Sequence, residues 1–356
     1  MIREKELINE VKLSPVSLEH LERLCDSVGV RQHAIHGIPL LESGYTVDDN
    51  ARALIAMLDF GDLFQKDQAR PSCIKFLSFL NHMQMPNGWF KNTLSFDRRF
   101  IDSGGSSDCF GRAFWACGRA TSSWLDENSR LNARKMLQRS LPFANQLQDA
   151  RPIAFTLLGL CELAKAEPGK QELFEKIEQL GFALTRMFEL NSGQEWQWFE
   201  NSLTYDNARM PQALFAAFQA TGNKSFLATA EKSFSFLEKN TVEGEMLVPV
   251  GQDGWFPREG SKALFDQQPI EAGSMVQAAT AGFFATSNDD YKKTALTCFN
   301  WFFGGNSLGA SLYDEKTGAC FDGLTSTEVN LNQGSESLVE FLLARLCLER
   351  AHRQKI

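Results

Sequence analysis

The chain has 356 residues, 43% of them hydrophobic and 22% charged, which is ordinary for a folded protein with a large core and long enough for one large domain or two. With 44 acidic against 36 basic side chains and a net charge of -8, it lacks the clustered positive charge of a general phosphate-binding surface, which excludes nucleic acid and favours a neutral substrate. No stretch reaches the ~20 uncharged apolar residues that span a bilayer, which excludes a membrane partner, and Met1-Ile2-Arg3-Glu4-Lys5-Glu6 lacks an apolar signal core, so the cytoplasm is the expected location.

Apolar residues spaced by three and four predict helices over 17–27, 47–63, 69–84, 106–122, 127–147, 151–166, 169–190, 205–221, 223–240, 269–286, 289–304 and 333–350. Strand-like alternation is limited to short pieces such as Met246-Leu247-Val248-Pro249-Val250. Tight links follow the helices at 47–63, 106–122, 151–166, 205–221 and 269–286, whereas long links precede most of them: 28–46, 85–105, 191–204, 241–268 and 305–332. The link near Asp149 to Arg151 is the exception. This alternation predicts antiparallel helix pairs with all long loops on one face. The pairs start near Asp48, Asp108, Arg151, Asp206, Glu271 and Glu336, and they recur at intervals too irregular for an open solenoid, which suggests a closed ring. Segments 153–161 and 275–284 are apolar around most of their circumference and belong to a buried inner layer, while the polar stripe of 132–139 marks an outer helix. No composition shift divides the chain, so residues 1–356 form a single domain.

The tetrapeptide Asp-Asn-Ala-Arg occurs twice, at Asp49–Arg52 and Asp206–Arg209, each after a tyrosine (Tyr45, Tyr205) and before an apolar run. It reads as a duplicated helix start, where an acid meets free N–H groups and the positive end of the helix dipole. Together with the alternating links and the segment Gly44-Tyr45-Thr46-Val47-Asp48-Asp49-Asn50-Ala51-Arg52, it gives a chain that resembles the six-hairpin glycosidase superfamily, the all-α (α/α)6 toroids. It is also similar to the toroid domains that accompany bacterial glycosyltransferases. The resemblance implies a saccharide bound in the funnel at the inner-helix N-termini, and it assigns no catalysts.

Inner-helix starts converge on the ring axis, so Asp48, Asp49, Asp108, Asp206, Glu271 and Glu336 are expected to share a cleft. Glycoside hydrolysis needs one protonated carboxylic acid and a second carboxylate acting on water or as nucleophile. A helix N-terminus lowers a carboxyl pKa and burial or a like charge raises it, and the adjacent pair Asp48 and Asp49 can contain both kinds. Asp49, Asp206, Glu271 and Glu336 are the catalytic candidates. Asp49 and Asp206 read equally well as helix caps with the following arginines, Arg52 and Arg209, pairing to acids. Glu271 follows Pro269 and reads equally well as a capping glutamate, with Gln268 in the same polar cluster. Trp89, Trp196, Trp198 and Trp255 fall in long loops beside polar residues, and Trp89, Trp198 and Trp255 are expected to stack on sugar rings together with contacts from Tyr45, Asp48, Arg52, Asp108, Tyr205, Arg209 and Gln268. Trp115, Trp124 and Trp301 read as packing residues.

Eight scattered cysteines without a Cys-x-x-Cys pair read as reduced thiols, no metal-ligand spacing occurs, and no phosphate-loop or dinucleotide fingerprint is present, so neither metal nor cofactor is expected. Three readings follow. The first is a glycoside hydrolase acting on a neutral oligosaccharide; the second is a noncatalytic glycan-binding or scaffold domain whose partner is a glycosyltransferase. The third, a sugar lyase or isomerase, needs a base beside Tyr45, Tyr205 or His36.

Overall fold

The structure is a computed structural model and describes residues 13–353, so the N-terminal hexapeptide discussed above lies outside the described residues. Its helices are α1 (Glu19–Leu24), α2 (Val47–Leu63), α3 (Lys66–Met83), α4 (Ser107–Thr121), α5 (Glu127–Ser140), α6 (Ala150–Ala166), α7 (Gln171–Asn191), α8 (Arg209–Thr221), α9 (Lys224–Thr241), α10 (Pro269–Thr286), α11 (Asp290–Asn300) and α12 (Ser335–Arg353). Consecutive even-numbered helices pack side by side, and α12 packs back onto α2. The ring is therefore closed. The odd-numbered helices form the outer layer, with α1 lying against α12.

Local chemistry accounts for where the helices begin and end. Thr46 caps α2, its hydroxyl accepting from the Asp49 amide at 3.1 Å, and Ser106 caps α4 through the Cys109 amide at 3.2 Å. Pro269 opens α10 with a residue whose missing N–H has no intrahelical partner to lose. At the far end, Gly222 adopts φ 74° after α8 and Asn223 at once caps α9, which makes one of the tight turns. The expected helix over 127–147 instead ends at Ser140 and continues as a 3-10 turn over Leu141–Gln146. Pro142 cannot donate to a carbonyl one turn back, so the α-helix stops there and the link into α6 is longer than the sequence pattern implied.

Inner helices are buried on nearly every side. On α10 this holds from Pro269 to Thr280, as the unbroken apolar run predicted. The tightest approach joins α4 to α6, where a β-carbon placed on Gly118 would sit 2.3 Å from the carbonyl oxygen of Gly159. No larger residue fits there.

The long loops are stitched to one another by short antiparallel pairs. Tyr45–Thr46 pairs with Thr93–Leu94, and Ser202–Leu203 pairs with Phe256–Pro257, so each pair joins two different loops. Single bridges from Ile35 to Asn332 and from Gln267 to Leu324 extend the stitching. The loops thus form a collar around the N-terminal ends of the inner helices, the face expected to carry a ligand. Among the described residues no helix is long and apolar enough to cross a membrane. None of the eight cysteines is in a disulfide, and six of them are buried.

Candidate active site

The first turns of α2, α4 and α12 and the segment before α8 bring charged side chains to the floor of the collar. Three inner helices contribute an acid at their start and a second charge four residues on: Asp48 and Arg52 on α2, Asp108 and Arg112 on α4, Glu336 and Glu340 on α12. Four residues is about one helical turn, so the first member of each pair faces the funnel and the second lies one layer deeper.

The deeper layer is a buried ionic network centred on Glu340, which is fully buried. Arg209 Nη2 donates to both oxygens of Glu340, at 3.0 and 2.8 Å. Arg52 Nη1 reaches the same carboxylate at 3.4 Å, and Gln277 Nε2 donates to it at 3.1 Å. Each arginine also holds the aspartate of its own tetrapeptide, Arg52 to Asp49 at 3.2 Å and Arg209 to Asp206 at 2.8 Å. The repeated tetrapeptide is thus a pair of aspartate–arginine clasps closing on one glutamate. The two copies differ in backbone. Asp49 sits inside the first turn of α2, whereas Asp206 precedes α8 with φ 51° and its backbone N–H donates to Glu271.

Above this layer, Arg52 Nη2 donates to Glu336 at 2.7 Å, Arg112 Nη2 donates to Asp206 at 2.9 Å, and Tyr205 donates its hydroxyl to Asp108. Arg151 lies 4.0 Å over the Tyr205 ring and 3.6 Å from Asp108, and its Nη1 is 3.9 Å from Glu200. Trp255 packs 6.3 Å from Tyr205. The side chains open to the funnel are Glu336 at 45% exposure, Glu200 at 31% and Asp48 at 29%, while those of Asp49 and Asp206 are at 5% and 0%.

Environment separates these carboxyls. Crowding by protein pushes Asp48 up, against the pull of Arg112 and Arg52. Burial likewise raises Asp49, against Arg52. The protein around Glu336 also works to raise it, but Arg52 and then Arg112 outweigh that and hold Glu336 below the usual carboxylate range. The same contest, won by Arg209 and Arg112, lowers Asp206. Glu271 is pushed up to about 8, first by burial and then by Asp206.

Not every expected site residue lines the funnel. Tyr45 is buried and donates to Asp26 at 2.5 Å, so it ties down the first loop. Trp198 is fully buried against Phe199 and Phe236 and has no face for a sugar, because its loop turns inward there. Trp196 is buried as well, and Trp89 packs half-buried on Phe110 at 4.8 Å. Arg52 and Arg209 are network members and are buried. Gln268 lies half-buried at the start of α10 and donates to Gln252 at 2.5 Å. Trp115 and Trp301 are buried and Trp124 is half-buried, in keeping with packing roles. Sequence reading did not single out Arg112, Glu200 or Glu340. The repeated four-residue spacing was a signal for Arg112 and Glu340, and nothing in the sequence marks Glu200.

A separate cavity of about 490 Å³ opens at the opposite face, lined by last-turn residues that include Asp62, Arg119, Glu162, Lys165 and Arg350. Its cations already pair with carboxylates, as in Arg119 with Asp59 and Arg350 with Asp59. They answer the negative ends of the inner helices, which explains them without a ligand.

No protein-family model and no curated protein sequence matches the chain. Solved structures do match in shape. The cellobiose 2-epimerase from Bacillus thermoamylovorans B4167 superposes with a TM-score of 0.73 at 11% identity, covering 99% of this chain and 100% of that one. A D-mannose isomerase gives 0.72 at 11% identity, over 95% and 96% of the two chains. The GH76A α-1,6-mannanase from Salegentibacter sp. HEL1_6 gives 0.65 at 13% identity, over 92% and 95%. An inactive form of that mannanase, with two consecutive aspartates replaced by asparagine, is in complex with α-1,6-mannotriose. A ring of six inner helices closed by α12 on α2, matched along its whole length by these structures, gives the chain the (α/α)6 toroid fold of the six-hairpin proteins.

Proposed function

We propose that the chain is a carbohydrate-active enzyme, a glycoside hydrolase acting on a neutral oligosaccharide, with Asp48 as general acid and Glu336 as the carboxylate that activates water or attacks the sugar. The carrying observation is that these two funnel-facing carboxyls are driven in opposite directions, Asp48 toward the protonated form and Glu336 toward the ionised form. Asp49 and Asp206 then serve by holding Arg52 and Arg209 in place. Glu271 is also driven toward the protonated form, but both its oxygens accept, from the Asp206 amide and from Asn207 Nδ2, and it is buried away from the funnel. Asp108, Tyr205 and Trp255 supply polar contacts and aromatic faces for the ring being held.

The test is product chromatography of the purified protein with gluco- and manno-oligosaccharides, with and without phosphate. Cleavage lost in both Asp48→Asn and Glu336→Gln supports the assignment, and unchanged turnover in both rejects it. A second reading, epimerisation or isomerisation of a sugar, is favoured by the full-length match to the cellobiose 2-epimerase. It predicts deuterium uptake at a sugar carbon in D2O without chain cleavage.

A further inference from the structure

We propose that Arg112 is the positioning residue for Asp48, the cation that receives its carboxylate once the proton has left; this rests on Asp48 being the general acid. Arg112 is almost fully buried and is anchored at one end only. Its Nη2 is bonded to Asp206, and its guanidinium lies 4.3 Å over the Phe155 ring. Among the described residues its buried Nε and Nη1 have no hydrogen-bond partner, and neither has Asp48 Oδ1. Nε stands 4.0 Å from Asp48 Oδ2, about one ångström beyond a charge-assisted hydrogen bond.

Leaving buried guanidinium donors idle is costly, so the arrangement needs a state in which they are used. Asp48 supplies it. As a neutral acid it has no charge to offer Arg112. After its O–H bond breaks, the electron pair stays on the carboxylate and a small turn of the side chain closes the gap. The proton goes to the glycosidic oxygen, which departs with the pair of the broken C–O bond. The water that adds to the anomeric carbon passes its own proton to Glu336.

The other charged or titratable groups facing Asp48 are Arg52 and Asp49 on α2 and Asp108 and Cys109 on α4. Arg52 is already engaged by Asp49, Glu336 and Glu340, and its Nε donates to the carbonyl of Asp48 itself. Of Arg52 and Arg112, the two arginines acting on Asp48 among the described residues, Arg112 has donors to spare.

The experiment is infrared difference titration of the full chain against Asp48→Asn, which isolates the Asp48 carboxyl, in wild type, Arg112→Lys and Arg112→Gln. The Asp48 midpoint is expected to rise by about one pH unit or more in Arg112→Gln and by less in Arg112→Lys. An unchanged midpoint in folded Arg112→Gln overturns the proposal. Because Arg112→Gln removes a buried partner of Asp206 and risks unfolding, crystals of the wild type below and above the Asp48 midpoint provide the second arm. A contact between Asp48 and Arg112 that forms only above the midpoint supports the proposal, and a carboxylate that ignores Arg112 at both pH values overturns it. Neither readout needs turnover. A clear titration and contact with no glycoside cleaved would leave the Arg112 pairing in place and remove the hydrolase reading.

Discussion

Replacing Glu340 by glutamine removes one negative charge from the centre of the deeper network while nearly preserving shape. Glu340 is fully buried and accepts from Arg209 at 3.0 and 2.8 Å, from Gln277 at 3.1 Å and from Arg52 at 3.4 Å. Breaking a buried ion pair by removing one partner costs about 3 to 5 kcal/mol, because the other charge stays buried and unpaired. Each arginine keeps a second carboxylate, Arg52 through Asp49 and Glu336 and Arg209 through Asp206, which places the loss at the lower end. About 3 kcal/mol corresponds to a fall of roughly 150-fold in the folding constant. Urea denaturation followed by Trp fluorescence reads this as a midpoint lower by about 1 M at a slope of ~3 kcal/mol/M. Arg99→Ala is the control, since the Arg99–Asp97 pair is exposed on both sides and is worth little. A Glu340→Gln midpoint within ~0.3 M of wild type would refute the idea that the duplicated clasps stabilise the ring through Glu340.

Three further outcomes are expected. Glu271 has its folded-state pKa raised from 4.5 to about 8, so the stability of the wild type should fall as pH rises across that window, as the unfolded chain ionises first; Glu271→Gln should gain on wild type over the same range, at most ~1.4 kcal/mol per pH unit, in melting curves at successive pH values. Gly118→Ala forces a methyl into Gly159 of the neighbouring inner helix and should lower stability by about 1 to 3 kcal/mol by thermal unfolding. Trp255→Ala should raise the KM for whichever oligosaccharide is cleaved, with kcat changed far less, since a stacking ring contributes about 0.5 to 1.5 kcal/mol of binding and no proton; an unchanged KM would remove Trp255 from the site.

Much of the architecture was legible before any coordinate. Apolar periodicity located the helices, and the alternation of tight and long links separated inner from outer, because an inner helix with no polar face has to be buried wherever the chain goes. The end of α5 was misjudged because apolar spacing continues past Ser140, although Pro142 closes the α-helix there. The expectation that the acids at the inner-helix starts share one cleft was too broad, because Asp48 and Glu336 open to the funnel whereas Asp49, Asp206 and Glu271 are buried. Composition could not separate Trp198 from Trp255: both lie in polar loops, yet one ring is buried on Phe199 and Phe236 while the other stands beside Tyr205.

What only the tertiary structure decided is where each carboxyl sits and which way its surroundings shift it. Asp48 and Asp49 are neighbours in sequence with the same intrinsic acidity, but one helical residue is about 100° of rotation, and that turns Asp48 to the funnel and Asp49 into the clasp with Arg52. Glu336 is held below the usual carboxylate range because Arg52, 284 positions away, reaches it at 2.7 Å. Local sequence dictates helix, cap and buried face through short-range sterics and hydrogen bonds. Charge state depends on burial and on distant partners, and those exist only once the ring has closed.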